Sequence, residues 1–310
     1  MRYHKLDLNL LVALDALLEE ASVSRAAERI YLSQPAMSSA LSRLREHFGD
    51  PLLVSLGRRM VLTDRAQALR GEVREILLRI QEVTQPAGDF EPARAQRTFS
   101  IAASDYFSVV VLPRLLAHCA RHAPGIHLEI YPLSPKLSEG LERGEIDLLI
   151  IPSVYALPDY PQATLFEDPW LAIAWQGNAL IGDTLTEDQY FDLEHVIKRE
   201  NHPMFPPLDE RSLSSFKRRR KVAAGVPQYS LLPMCLPATP HIATVQSGLA
   251  RRYAQWLPLR LMDLPITIPP LTEVMQWPRH KAGDDGMRWL RDSISEVCAQ
   301  LFRGQHIRAR

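Results

Sequence analysis

From Leu10 to Val83 the apolar residues recur at helical spacing, and from Phe99 onward they fall in short runs that alternate with helical segments. Leu10, Leu14, Leu17 and Ala21 predict one amphipathic helix. Val23, Ala26, Ala27 and Ile30 predict a second, whose alanines permit close helix contact. Met37, Leu41, Leu44 and Phe48 share one stripe of a third helix, with Ala36 and Ala40 at its edge. Ser33 before Gln34-Pro35 suits a side-chain N-cap followed by proline in the first turn, where the missing N–H costs nothing. The opposite arc holds Gln34, Pro35, Ser38, Ser39, Ser42, Arg43 and Arg45, which suit base edges and phosphates and are compact enough to enter a groove. Pro51 to Val54 and Met60 to Leu62 predict two extended segments around the Gly57-Arg58-Arg59 turn, completing a winged helix-turn-helix. A lone serine-rich amphipathic helix is as much at home on a solvated surface; the wing and the three-helix order favour DNA reading.

Ala66, Leu69, Val73, Ile76, Ile80 and Val83 are spaced 3, 4, 3, 4, 3, a heptad seam along one long helix. Thr63 is placed to cap it, Pro86-Ala87-Gly88 to end it, and the stretch from Pro86 to Arg97 to act as a hinge. Such a seam pairs two subunits or lies on its own domain, and spacing alone leaves both open.

Beyond Thr98 strands and helices alternate. Strands are expected at Phe99 to Ala103, Ile126 to Tyr131 and Asp147 to Ile151, with helices at Val110 to Ala123 and Lys136 to Arg143, a parallel α/β unit. A second unit has strands at Trp170 to Trp175, His195 to Ile197, Lys221 to Ala224 and Ile242 to Val245, and a helix at Ser247 to Tyr253. A strand at Glu273 to Trp277 and a closing helix at Asp285 to Phe302 return the chain to the first lobe.

The segments DLNLLVALDALL, SQPAMSSALSRLREHFGDPLLV and LTDRAQAL, between Leu6 and Arg65, resemble the N-terminal domain of LysR-type transcriptional regulators, in the branch of nodulation and aromatic-degradation regulators. The resemblance implies that Ser33, Gln34, Pro35, Ser38 and Ser39 touch bases or adjacent phosphates and that Arg58 in the wing approaches the minor groove. Many members carry a long basic residue where this chain has Ser39. It also implies a dimerising linker helix, tetramers built from dimers on promoter DNA, and a two-lobed effector domain like a periplasmic solute-binding protein. Domains are therefore expected at 1–65 (reader), 66–97 (linker helix and hinge) and 98–310 (effector-binding domain).

Ligands of such sheets bind in the crevice at strand C-termini. Ser104, Asp105, Tyr106 and Phe107 follow the first strand at a helix start, where amides and the Ser104 hydroxyl suit a carboxylate or phenolate, although Ser104 serves equally as a plain N-cap. Gln228 and Tyr229 align by pattern with a pocket-lining turn of the aromatic branch; a tyrosine buried with its hydroxyl satisfied is the alternative. The expected effector contacts are Ser104, Asp105, Phe107, Gln228 and Tyr229, and the expected ligand a small, hydroxylated or acidic aromatic.

Composition narrows this picture. The chain has 310 residues, enough for about two domains. Lys+Arg and Asp+Glu number 36 each, so net charge gives no argument for nucleic acid. Residues 22–65 hold seven arginines against four acids, a modest local excess that makes binding dependent on pairing. Cys119, Cys235 and Cys298 are odd in number and lack a CxxC pair, which argues against disulfides and zinc. No apolar run reaches the ~18 residues of a membrane span, and MRYHKLDLN has no signal pattern, so a cytoplasmic protein without membrane contact is expected. Walker, HExxH, GxSxG and strand-linked GxGxxG motifs are absent, and no cofactor or metal is expected. The run Lys217 to Lys221 reads as a solvated turn and Trp277 as core. The leading expectation is a ligand-responsive activator that also contacts RNA polymerase; an enzyme tethered to a DNA reader and a ligand-independent architectural binder are the competing readings.

Overall fold

The computed structural model describes all residues except 1, 4–5, 58, 85–89, 183, 200–204, 215 and 304–310, and only the backbone of 2–3, 6, 75, 78–79 and 81–84. The chain forms two compact units, one of residues 1–88 with 142–145 and the other of residues 89–141 with 146–310.

In the first unit, β1 (Arg2–Tyr3) and β2 (Leu6–Asp7) precede three helices, α1 (Asn9–Glu20), α2 (Val23–Arg29) and α3 (Gln34–Phe48). The expected stripes are the core: Leu14, Leu17, Ala26, Met37, Leu41 and Leu44 are all buried. Caps set the helix limits. The Ser22 hydroxyl accepts from Arg25 N, the Ser33 hydroxyl accepts from Ala36 N at 3.3 Å, and Gly49 ends α3 at φ 61°. The wing is an antiparallel pair, β3 (Leu53–Leu56) and β4 (Arg59–Leu62), turning at Gly57 with φ 63°. Then α4 runs Asp64–Thr84, and the Thr63 hydroxyl accepts from Ala66 N while donating to Asp50.

The heptad seam of α4 divides in two. Ala66, Leu69 and Val73 are buried in the core of their own unit, whereas Ile76 and Ile80 are 47% and 39% exposed. Arg74 and Arg70 fasten the buried half to α1 through Asp15 and Glu19, each at 2.9 Å. The expected continuous seam is therefore corrected: its first half packs inside its own unit, and Ile76 and Ile80 lie outside that core. The expected end of the helix and hinge at 86–88 lie outside the described residues, as does the side chain of Val83.

The second unit carries two five-stranded sheets. The first lobe contains β5 (Arg97–Ala103), α5 (Asp105–Val110), α6 (Leu112–His122), β6 (Ile126–Pro132), α7 (Leu137–Glu142), β7 (Leu148–Pro152) and β8 (Gln162–Asp168). The second lobe contains β9 (Trp170–Trp175), α8 (Glu187–Asp192), β10 (Glu194–Lys198), α9 (Leu208–Leu213), β11 (Lys221–Val226), β12 (Ile242–Gln246), α10 (Ser247–Tyr253) and β13 (Leu259–Asp263). The chain then returns through β14 (Leu271–Gln276) and α11 (Asp285–Phe302). Strand orders are β6-β5-β7-β14-β8 and β11-β10-β12-β9-β13.

Neither sheet is purely parallel. In the first lobe β14 runs antiparallel to β7 and β8, and in the second β9 runs antiparallel to β12 and β13, because the chain changes lobe twice. The helix expected over 110–123 is α6, with Pro113 in its first turn, and the separate helix α5 precedes it. α11 matches its expected limits and returns to the first lobe against β8 and α6. Its N-cap Asp284 accepts from Met287 N and also receives Arg97 Nη1 at 2.8 Å, so the start of β5 is tied to the closing helix.

Because Val73 belongs to the reader core, Val73→Asp leaves an uncompensated charge among apolar side chains and should cost about 3 kcal/mol or more. Thermal unfolding of the variant checks this: a substantially lowered melting transition is expected, rather than an intact protein that has merely lost its oligomeric state.

Candidate functional site

The DNA-facing candidates lie on α3 and the wing. Ser33, Gln34, Pro35, Ser38, Ser39, Ser42 and Arg43 are exposed along one arc, while Met37, Ala40, Leu41 and Leu44 are buried behind them. A helix with a polar, compact, exposed N-terminal half is what a major groove admits. Arg43 reaches the Asp7 carboxylate at 3.4 Å; backbone donation from Asn9 and the Arg43 guanidinium hold that carboxyl below its usual range. Arg45 leaves the reading arc. It donates to the Pro51 and Leu53 carbonyls at 2.7 and 2.9 Å and fixes the wing to α3. Arg58 lies outside the described residues.

Sequence reasoning missed Tyr31. It occupies the turn before α3 at φ 57° and is 96% exposed, with Leu32 half-exposed beside it. A non-glycine residue in the left-handed region is uncommon and marks the turn as sterically fixed. No period in the sequence signals it, since a tyrosine in a turn breaks no pattern.

The second candidate is a cavity between the lobes of the second unit, about 60 Å³ in volume, against about 150 Å³ for an apolar cavity that holds benzene. Ser104, Asp105 and Tyr229 line it as expected. Ser104 is an N-cap, its hydroxyl accepting from Phe107 N at 3.3 Å. Asp105 accepts from Ser230 N at 2.7 Å, a strap between the lobes. Tyr229 is buried, donates to Asp209 Oδ1 at 2.8 Å, and gives the cavity its ring. Two expected contacts fall elsewhere. Phe107 is wholly buried in the apolar core, drawn there by the inward face of α5, and Gln228 is exposed just before the turn.

Behind Tyr229 stands a buried ionic pair. Arg220 donates to Asp209 Oδ2 at 2.8 Å and to Glu210 at 2.5 Å, and its side chain is 4% exposed. The run Lys217 to Lys221 is therefore solvated only in part, because Asp209 draws Arg220 inward. Burial alone would favour the neutral form of Arg220; the opposing charges of Asp209 and Glu210 keep it a cation.

Asp168, at the crossing from β8 to β9, is completely buried. It accepts from Tyr106 Oη and Ser247 Oγ at 2.5 Å each and from Gly248 N at 2.9 Å. Burial raises its pKa despite these donors. A Cβ at Gly248 would stand 3.0 Å from Asp168 Oδ2 and 3.1 Å from Tyr106 Oη, so the close approach requires glycine. Also lining the cavity are Gln246 and Glu273, whose buried Oε1 and carboxyl oxygens have no hydrogen-bond partner among the described residues. Burial pushes Glu273 up to about 8. Among the described residues no group of side chains is arranged to hold a metal, and no helix is long and apolar enough to cross a membrane.

Comparison with known proteins matches both parts of the chain. Residues 8–67 match the bacterial regulatory helix-turn-helix protein family, LysR type, and residues 92–299 the LysR substrate-binding domain. Nodulation protein D 1 of Rhizobium tropici is 39% identical over 97% of this chain and 98% of its own. A probable transcriptional regulator from Pseudomonas aeruginosa superposes with a TM-score of 0.62 at 29% identity, covering 94% of this chain and 96% of that one. The regulatory domain of MexT, a transcriptional activator in the same organism, superposes at 0.57 and 26% identity over 65% of this chain and all of its own. The chain belongs to the LysR family of bacterial regulators: it is a DNA-binding transcriptional regulator with an effector-binding domain, and not an enzyme.

The Glu273 carboxyl sets a pH dependence. Its pKa rises from 4.5 to about 8 on folding, so between these values the unfolded chain holds fewer protons than the folded one and stability falls as pH rises. Relative to Glu273→Gln, the wild-type protein should lose melting temperature steadily from pH 4.5 to 8 and level off above. Parallel melting curves of the two proteins across that range would refute the assignment.

Proposed function

We propose that this regulator reads its operator by inserting the N-terminal half of α3 into the major groove. Ser33, Gln34, Pro35, Ser38 and Ser39 meet base edges or adjacent phosphates, and Arg43 with Arg58 of the wing meets the backbone and the minor groove. The observation that carries this is the continuous exposed polar arc of α3 opposite a fully buried apolar stripe, with the Ser33 cap holding the helix start. The reader is taken as 1–65, the linker helix and hinge as 66–97, and the effector domain as 98–310. Dimers form through the distal part of α4, where Ile76 and Ile80 stay exposed, and pair into tetramers on promoter DNA. A small aromatic effector enters the cleft lined by Ser104, Asp105 and Tyr229. A cavity of about 60 Å³ must widen to take it, which requires the Tyr155 hydroxyl to release the Pro206 carbonyl at its rim. Activation through RNA polymerase in the cytoplasm completes the reading, supported by the likeness to the regulatory domain of an activator.

Gln34→Ala and Ser38→Ala should each weaken operator binding by about 1–3 kcal/mol and leave binding to random DNA nearly unchanged, as expected of direct base contacts. Arg43→Ala should weaken both DNAs alike. Gel-shift titrations on both at fixed salt decide, and an equal loss on the two DNAs for Gln34→Ala removes that residue from sequence reading.

Ile76→Asp should yield folded monomers, because a charge in the seam is desolvated against its symmetry mate. Sedimentation of the variant at the wild-type mass would place the pairing surface elsewhere.

A further inference from the structure

The second lobe carries a cavity of its own, about 600 Å³ in volume, on the side of its sheet where β10 pairs with the edge strand β11. It shares Lys198 and Pro207 with the cleft between the lobes and is otherwise lined by different residues. Five cations face it: Lys198 at the end of β10, Arg199 just after it, and Arg218, Arg219 and Arg220 just before β11. Glu210 is the one carboxylate among the described residues of the lining. Because Lys+Arg and Asp+Glu balance over the whole chain, this excess is a local concentration of charge. Its volume falls within the range of about 300–1,000 Å³ typical of small-molecule sites.

The cations are held in different ways. Arg220 is fixed at the inner wall by Asp209 and Glu210 and is a preset charge. Arg218 pairs with the exposed carboxylates of Asp188 and Asp192, and surface pairs of this kind yield to another anion at small cost. Arg199 and Arg219 have no carboxylate partner among the described residues. Arg199 lies flat across β11: a Cβ at Gly225 would stand 3.0 Å from its Nε and 3.2 Å from its Cβ, so glycine there makes room for the arginine. The strands β10 and β11 run parallel, with Glu194 opposite Lys221 and Lys198 opposite Val226. Lys198 and Arg199 therefore stand at one end of the strand pair and Arg218 to Arg220 at the other, roughly 20 Å apart along the backbone at 3.3 Å per residue, and their long side chains converge on one cavity. A single small anion meets one group of cations. A linear polyanion meets both.

We propose that this basin binds a chain of linked phosphoryl groups, free as a polyphosphate or carried by a nucleotide, as a ligand of the regulator separate from any ligand of the cleft. Guanidinium forks match phosphate oxygens in pairs, which favours phosphoryl groups over other anions where four of five cations are arginines. Arg219 and Arg220 meet one end of the chain, Lys198 and Arg199 the other. Ile197, Leu213 and Val222 leave an apolar wall beside them, which suits a nucleotide base. Duplex DNA is the competing occupant, and the shape of the site disfavours it. The Arg220 side chain is 4% exposed at the inner wall of a concave space, where a rigid duplex does not reach.

The test uses full-length protein with inorganic tripolyphosphate, ATP and inorganic phosphate, measured by calorimetry without magnesium at constant ionic strength. Tripolyphosphate should bind the wild-type protein at least about tenfold more tightly than phosphate, and should weaken at least about tenfold in Arg199→Ala and in Arg219→Ala. Gly225→Val, which pushes Arg199 off the strand, should weaken it at least about threefold. Lys217→Ala removes a charge of the same basic run outside the lining and should leave binding within about twofold. ATP binding more tightly than tripolyphosphate supports a nucleotide as the source, and equal or weaker binding supports the free chain. Without ligand, Arg199→Ala and Arg219→Ala should melt with wild type; lowered transitions in both would give these arginines a structural role and overturn the proposal. So would no tripolyphosphate binding at millimolar concentration, equal affinity for phosphate, or a loss in Lys217→Ala as large as in Arg219→Ala, which marks a diffuse field. Loss of binding in Arg43→Ala with none in Arg199→Ala would place the polyanion on the DNA reader and overturn it as well.

Discussion

Everything in the effector domain depends on one buried carboxylate at the place where the chain changes lobe. A chain that leaves the first sheet at Asp168 and enters the second at Trp170 must carry its backbone polar groups through a dry region. The Pro169 carbonyl accepts from Ser247 N at 2.8 Å, and beside it the Asp168 side chain accepts from Tyr106 on one side and from Ser247 and Gly248 on the other. The lobes are then joined by hydrogen bonds with fixed directions rather than by apolar contact alone. Loss of any donor would leave a desolvated charge, so the arrangement is strongly specified. The same crossing makes both sheets mixed, since each lobe must take back strands from the other's part of the chain.

A comparable economy shapes α4. One stripe of apolar residues meets two environments along a single helix: Ala66, Leu69 and Val73 close the reader core, and Ile76 and Ile80 are exposed. The ion pairs from Arg70 and Arg74 to α1 hold the shared helix in register with the reader. A substitution is therefore read by its position on the stripe. Before Ile76 it acts on the reader core; at Ile76 and Ile80 it acts on an exposed face.

Much of this was legible from spacing and capping chemistry. Ser33, Thr63 and the limits of α10 and α11 follow from rules that act within a few residues, and the structure places them where those rules put them. The arc of α3 was legible for the same reason, except for Arg45, whose carbonyl partners lie on the wing and leave no local trace. Ser104, Asp105 and Tyr229 line the cavity because they follow strand ends. Phe107 and Gln228 do not line it, because adjacency to a strand end does not fix which face a residue takes. The seam of α4 reads alike along its length, so sequence could not say where it changes partner. Arg220 looked like its solvated neighbours in a basic run, and its pairing with Asp209 and Glu210 of α9 distinguishes it. Glu273 and Gln246 were missed altogether. Their significance lies in lacking protein partners, a property of three dimensions that no periodicity records.

The unpartnered oxygens of Glu273 and Gln246 carry a thermodynamic consequence. A ligand moves a conformational equilibrium only by the difference in its affinity for the two arrangements, however tightly it binds either. Both residues are desolvated and unmatched, at a cost of about 1–3 kcal/mol for each unsatisfied group. A rearrangement that gave them partners would recover that cost only where both are reached, because a hydrogen bond is lost within a fraction of an ångström while apolar contact changes gradually with separation.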